Sequence, residues 1–464
     1  MKYAGFWPGT TAGKRWLPGA DILWIFALMV YVLVGTATVP FHGDESTQIM
    51  MSRDYHTLFL QGDLSRVLYH DPPLDATEQH LRLLNGTLPK YLFGLAWHLA
   101  GFTVDDLNDQ WVWGAGWDWN VANGHKPADA LLLVARWPSA LLTALSVVLM
   151  FALAMLWGGR WMAYPASFLL ALNPVVLLNG RRAMMEGSLL FFSLLTMLLA
   201  AWLGRRLVRT SRLLRRDVAG MLALGGAAGL TMASKHSGLV PVLAAYMALA
   251  VLGFGRSRVR GWRLAVWGLC SVLLAGGIFL ALNPAWWSDP VGRGLEVLQL
   301  RQALVADQAA AFPDAVYRDV PGRLGGLLTQ LSTAPPAYYE VSDWAAYIAD
   351  AIRAYQASPW TGIQYGVNAL TTLVGAGVFL LALVGMVCLI WQMRALHPIA
   401  LVIGLWALLT VLMIAAAVPL AWQRYYMPLY PIEALLAGAG IAWLWRAVTV
   451  RRRPAPVHGE PRRG

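Results

Sequence analysis

Long apolar runs, each about as long as a bilayer is thick, recur along most of this chain and are parted by polar links. A helix needs about 20 apolar residues to cross a hydrocarbon core ~30 Å deep. The pattern predicts ten such helices, over residues 22–41, 131–157, 161–179, 187–204, 218–234, 237–254, 263–283, 367–391, 398–418 and 427–446. The fifth and sixth are short and meet at the charged step Lys235–His236, so 218–254 also reads as one re-entrant feature. Two long polar and aromatic segments, 42–130 and 284–366, interrupt the runs and are expected to carry short interfacial helices. The expected fold class is an all-α polytopic membrane protein with one transmembrane domain over 1–446 and a disordered cytoplasmic tail over 447–464.

Composition agrees with this pattern. The chain has 464 residues, 58% of them hydrophobic and only 13% charged, where soluble domains carry about 25% charged residues. A formal net charge of +11 would suggest nucleic acid in a soluble protein. Here the charge is explained by the preference of basic loops for the cytoplasmic face, so no nucleic-acid partner is expected. More than half of the 36 Lys and Arg residues lie on the side that carries both chain ends, mostly in short links. Of the 25 acidic residues, that side holds only Asp21, Asp217 and Glu460. Both termini are therefore expected in the cytoplasm, and both long segments outside it, in a multi-pass plasma membrane protein. The first apolar run is too long for a signal-peptide core and lacks a cleavage site after it, so it reads as an uncleaved helix. Cys270 and Cys388 fall inside apolar runs and form neither a disulfide framework nor a metal framework.

Several polar groups interrupt or flank the apolar runs. Asp44–Glu45 follows the first helix, and Asp44 suits the N-cap of a helix over 45–60. His70-Asp71-Pro72-Pro73 reads as a rigid loop. Trp111 to Asn120 (WVWGAGWDWN) reads as an interfacial element or a sugar-stacking platform. Asn283-Pro284 closes a helix ahead of the second long segment. Arg136, Arg181, Arg182, Glu186, Lys235, His236, Arg424 and Glu433 all fall at the outer ends of their helices, level with Asp44–Glu45. Ionisable groups are expensive in the membrane and mark functional sites there, so their convergence predicts a shared polar site.

These pieces occur in an order that resembles the GT-C glycosyltransferases, in particular the bacterial protein O-mannosyltransferase-like family that includes the lipid A aminoarabinose transferase. The matching stretches are Gly43-Asp44-Glu45, His70-Asp71-Pro72-Pro73-Leu74, the run from Ala135 to Leu141, Leu172-Asn173-Pro174 with Arg181 and Glu186, the run from Gly229 to Gly238, and Arg424 to Pro431. The resemblance implies a polyprenyl-phosphate sugar donor among the membrane lipids and an extracytoplasmic acceptor. It implies Asp44 as catalytic carboxylate with Glu45 as its helper, and Lys235, Arg424 and Lys90 on the donor phosphate. Arg136, Arg181, Glu186, His236 and Tyr425 would organise the cavity. No cofactor is required by this chemistry. A divalent metal is compatible with it but not indicated, because a monophosphate leaving group needs less charge neutralisation than a diphosphate. The tryptophan-rich stretch within 75–130 and the lack of a large domain after the tenth helix depart from the pattern and bear on the acceptor. A transporter or flippase of lipid-linked sugars and a non-catalytic partner subunit are the alternatives.

Overall fold

The computed structural model describes residues 18–451, apart from 258, 260 and 341. Within these residues the chain is helical, with only an isolated antiparallel bridge between Val316 and Leu420. Among the described residues nine helices are long and apolar enough to cross a membrane: Gly19–Thr38, Asp129–Gly158, Glu186–Arg209, Arg215–Ser234, His236–Gly255, Gly261–Leu282, Ala369–Arg394, Pro398–Ala417 and Gln423–Thr449. A bent pair, Arg160–Ala171 and Pro174–Gly180, meeting at 58°, makes a tenth crossing, third in chain order, when its two halves are counted as one span. Each of the ten expected helices thus has a counterpart.

The bend has a local cause. Pro174 disfavours helix at the residue before it, and the Asn173 side chain accepts the Val175 and Val176 N–H groups at 3.0 Å, starting a new helix. The step at Lys235 is likewise a true break: its backbone is extended, and His236–Gly238 opens the next helix as a single 3-10 turn. The re-entrant alternative over 218–254 is therefore replaced by two separate spans. The last helix runs to Arg451, so residues 447–451, placed in the expected tail, are helical. The remainder of that tail, 452–464, lies outside the described residues.

Burial sorts the spans into centre and rim. Over an apolar stretch of 18 residues, 78% of Gln423–Thr449 and 67% of Glu186–Arg209 is buried, against only 17% of Gly261–Leu282 and 22% of Ala369–Arg394. The rim helices leave their hydrophobic surface for lipid. At the end of the bundle that carries Gly19 and Thr449, Arg160 holds Asp21 at 2.9 Å and Arg206 holds Asp217 at 2.7 Å. Two of the three acids expected on that side are thus each clamped to an arginine, and the third, Glu460, lies outside the described residues.

The two long segments fold together over the opposite end. The first contributes Gly43–Met51, Ala76–Leu84, Thr87–Leu99 and Trp117–Ala122. The second contributes Pro290–Ala311, Val320–Ser332, Ser342–Tyr347 and Ala349–Ala357. Pro290–Ala311 is longer than the short helices expected there, and its Arg, Glu and Asp residues keep it outside the hydrophobic layer. The segments join through His42 with Glu340, the Gly43 N–H donating to the Tyr339 hydroxyl at 2.8 Å, and Trp111 beside Trp344.

Small residues let helices of the bundle approach closely. A Cβ on Gly385 would lie 1.9 Å from the Leu436 carbonyl oxygen, and one on Gly440 would lie 2.1 Å from that of Leu381. Gly385→Leu is expected to cost roughly 1–3 kcal/mol through overpacking, read as a lower thermal midpoint of the detergent-solubilised protein. Gly377→Leu, on the same helix with no heavy atom within 4 Å of its added Cβ, should leave the midpoint unchanged.

Candidate functional site

The site begins where the chain leaves the first span. His42 is extended and starts the helix Gly43–Met51: its Nδ1 accepts the Asp44 N–H at 3.1 Å, and its own N–H donates to the Glu45 carboxylate at 3.1 Å. This capping box belongs to His42, which corrects the expectation that Asp44 is the N-cap. Because Nδ1 accepts, the ring proton sits on Nε2, which faces Glu340 Oε2 at 2.7 Å.

Glu45 is fully buried and its oxygens are occupied. Arg136 donates through Nε and Nη2 at 2.7 and 2.8 Å, and the Ala183 N–H adds a bond at 2.9 Å. Arg136 also donates to the Val39 carbonyl at 2.8 Å. Burial pushes the Glu45 pKa up, but the guanidinium of Arg136 beside it, with Arg182 and the Ala183 N–H, brings it below the usual carboxylate range. Arg182 is buried too and donates to the Tyr338 carbonyl at 2.7 Å.

Successive helix residues point about 100° apart. Pinning Glu45 inward therefore turns Asp44 into the open space between the two long segments. There Asp44 pairs with Arg424, which begins the last span, and Arg424 Nε also lies 3.3 Å from Glu340. The Asp44 side chain keeps 30% exposure, against 12% for Arg424 and 11% for Glu340. Burial raises the pKa of both carboxyls, and the Arg424 charge more than reverses it, leaving Asp44 lowered and Glu340 well below the carboxylate range.

Asp44 and Glu340 line a cavity of about 1460 Å³, counted out to its open mouth. Lys235, Arg301 and Arg424 bring three cations to it. Lys235 Nζ donates to Glu186 at 2.9 Å, and Arg301, on Pro290–Ala311, donates to the Leu84 carbonyl. Gly86 allows this crowding: a Cβ there would stand 2.0 Å from the Ser234 carbonyl oxygen, next to Lys235. Tyr425 also faces the cavity and donates to Gln308 at 2.7 Å. Among the described residues no group of three or more His, Cys, Asp or Glu side chains is set to hold a metal ion.

Not every residue expected at a shared site reaches this cavity. Arg136 and Glu45 lie beneath it as a pair. Arg181 is spent on the carbonyls of Tyr31 and Val32, both at 2.7 Å, and on the Tyr355 hydroxyl at 2.9 Å. His236 packs against Trp286, and Glu433 bonds Ser332 deep in the bundle. Lys90 is buried with Asp54 at 2.5 Å, and Arg82 holds the same carboxylate at 2.7 Å. Burial pushes the Lys90 ammonium pKa down. Conversely, Glu340, Arg301 and His42 sit at the cavity and were not anticipated. The run Pro335-Pro336-Ala337-Tyr338-Tyr339-Glu340 carries a cue for Glu340, a rigid turn delivering an acid. Arg301 lies in a polar helix with no comparable cue.

Residues 83–287, less than half of the chain, match the family described as dolichyl-phosphate-mannose-protein mannosyltransferase. No curated protein matches by sequence. Among solved structures, the Archaeoglobus fulgidus oligosaccharyltransferase AglB, in complex with an inhibitory peptide and a dolichol-phosphate, superposes with TM-score 0.52 and 13% identity, over 93% of this chain and 51% of that one. ArnT from Cupriavidus metallidurans bound to undecaprenyl phosphate gives TM-score 0.45 and 15% identity, over 94% and 63%. The Saccharomyces cerevisiae protein O-mannosyltransferase Pmt1-Pmt2 complex bound to its sugar donor gives TM-score 0.40 and 16% identity, over 60% and 35%. This chain therefore spans about a third of the matched yeast chain and about half of the archaeal one. The likeness to AglB over nearly the whole chain shows the GT-C fold, in agreement with the resemblance drawn from the motifs.

Removing one partner of a buried ion pair leaves an uncompensated charge and costs about 3–5 kcal/mol. Arg136→Met is expected to destabilise by that order, read as a large fall in thermal midpoint and in yield of folded protein. Asp44→Asn, at a partly exposed pair, should leave the midpoint near wild type. The sign of the pH effect follows from the lowered Glu45 pKa. Its stabilisation is complete above the ordinary value of 4.5 and is lost only as pH falls through the lower folded-state value. The midpoint difference between wild type and Glu45→Gln should therefore be flat from pH 8 to 5 and shrink in stronger acid.

Proposed function

We propose that this chain is a membrane glycosyltransferase that moves a hexosyl or pentosyl group from a polyprenyl-phosphate donor to an extracytoplasmic acceptor hydroxyl. The observation that carries this reading is Asp44 facing a cavity that also holds Lys235, Arg301 and Arg424, at the ends of membrane spans. A lipid-borne phosphate reaches such a level from the bilayer while its sugar enters the cavity. The match to a dolichyl-phosphate-mannose-protein mannosyltransferase family and the GT-C fold support the same donor class.

The chemistry runs from these residues. Asp44 accepts the proton of the acceptor hydroxyl as general base. The acceptor oxygen bonds to the anomeric carbon as the bond from that carbon to the phosphate oxygen breaks, and the electron pair leaves with the phosphate. Lys235, Arg301 and Arg424 take up the developing charge. A single displacement inverts the anomeric centre. Arg424 links the two halves of the reaction. While it grips Asp44, the carboxylate is a weak base. A phosphate that draws Arg424 away restores basicity to Asp44 only when donor is present. Glu45 acts here through the backbone it fixes, and Lys90 stays with Asp54.

Purified protein given a radiolabelled polyprenyl-phosphate sugar and a membrane extract as acceptor source should transfer label, and Asp44→Asn should lower turnover by at least about a hundredfold. Arg301→Met should raise the donor KM about tenfold or more, the worth of one charge-assisted hydrogen bond. Transfer undiminished in Asp44→Asn contradicts the assignment of the base, and movement of lipid-linked sugar across vesicles without transfer indicates a flippase instead.

The charge asymmetry of the links supports an extracytoplasmic cavity with both termini inside. Leu74, 67% exposed on the first long segment, provides a reporter, since both native cysteines lie in membrane spans. Leu74→Cys should react with a membrane-impermeant maleimide added outside the cytoplasmic membrane. Reaction only after the membrane is opened would reverse the orientation.

A further inference from the structure

The wall of the cavity beyond Asp44 differs in chemistry from the cationic side. Asp44, Thr47 and Gln48 stand at i, i+3 and i+4 on Gly43–Met51, so they share one helix face, and all three line the cavity. Gln48 is only 3% exposed; its Nε2 donates to Asn85 at 3.3 Å, and its Oε1 has no partner among the described residues. Gln110 repeats this: its Nε2 donates to Thr47 at 3.1 Å, and its Oε1 also lacks a partner. Buried amide oxygens are rarely left unmatched, so these two await a donor.

Aromatic rings continue the same wall. Trp113 and Trp344 both line the cavity, with ring centres 5.6 Å apart. Trp344 stacks on Tyr339, which stacks on His42 at 4.3 Å. Trp113 keeps 44% exposure beside this buried stack. Each carboxylate of the cavity already has a cation beside it or a donor on it: Glu340 has Arg424 and the His42 ring N–H, Asp44 has Arg424, and Glu186 has Lys235 on Oε1, its Oε2 being without a partner among the described residues. An aromatic face beside neutral amide acceptors complements a ring with an apolar C–H face and hydroxyl donors at its edge.

We propose that Gln48, Gln110, Trp113 and Trp344 form a subsite for an uncharged pyranose, next to Asp44 and separate from the phosphate-binding cations. This deepens the glycosyltransferase reading and rests on it. The ring is the donor's sugar or a sugar unit of the acceptor, and binding measurements separate the two.

The test compares the detergent-solubilised full chain as wild type, Gln48→Met and Trp113→Ala, with Trp113→Phe as conservative control. The probes are bare polyprenyl phosphate, polyprenyl phosphates carrying mannose or glucose, and methyl mannoside and methyl glucoside. Bare polyprenyl phosphate should bind all variants alike. For a donor subsite, a sugar-bearing lipid should bind wild type about tenfold more tightly than the bare lipid, a gain equal to one or two hydrogen bonds. That gain should vanish in Gln48→Met and Trp113→Ala and return in Trp113→Phe. For an acceptor subsite, the same pattern appears with a methyl glycoside. Equal binding of every sugar probe by wild type and variants overturns the subsite while leaving the function standing. Failure of wild type to bind bare polyprenyl phosphate overturns the function itself.

Discussion

The buried pair Glu45–Arg136 is the constraint on which the site depends. It joins the start of the helix Gly43–Met51 to the second span, and through Ala183 to the turn after the third. Arg136 adds the Val39 carbonyl, so the exit of the first span is held by the same guanidinium. Two charges removed from water gain little net stability over an apolar pair of the same shape, but they leave few alternatives for where the backbone can go. The next residue back, Asp44, has no freedom to point elsewhere. One acidic dipeptide thus divides into a carboxylate that fixes position and a carboxylate that faces the cavity.

The cavity that receives Asp44 is balanced in charge by local pairs. Asp44 and Glu340 share Arg424, Glu186 holds Lys235, and His42 donates its Nε2–H to Glu340. In this arrangement Lys235 and Arg424 are neutralised in advance, which lowers the cost of keeping them at a membrane boundary. The phosphate of the proposed donor would have to exchange with carboxylates, and the most exposed of these is Asp44. In the proposed reaction, donor binding and activation of the base are coupled through Arg424, because phosphate and Asp44 compete for the same guanidinium.

The membrane architecture was largely legible in the sequence because apolar run length responds to one physical variable, the thickness of the hydrocarbon core. All ten expected spans have counterparts. The bend at Asn173–Pro174 was marked by its residues, yet the hydropathy of the run carried no sign of an angle. The site was harder to read, because charge at a helix end looks the same whether it faces a cavity or a neighbouring carbonyl. Arg181 and Arg424 show this: one is absorbed by the carbonyls of Tyr31 and Val32, and the other meets Asp44. Glu340 and Arg301 come from the second long segment, hundreds of residues from Asp44, where no local periodicity ties them to it. Lys90 illustrates the converse. Its partner Asp54 lies across a helix contact that spacing alone does not reveal.

The most direct measurement is an experimental structure of the protein with bound polyprenyl phosphate. The account predicts phosphate density in the cavity in contact with Lys235, Arg301 and Arg424, with Arg424 drawn off Asp44 and Glu45 still paired to Arg136. Phosphate seated at Lys90 and Asp54 instead, or an Asp44–Arg424 pair unchanged beside a bound phosphate, would contradict it.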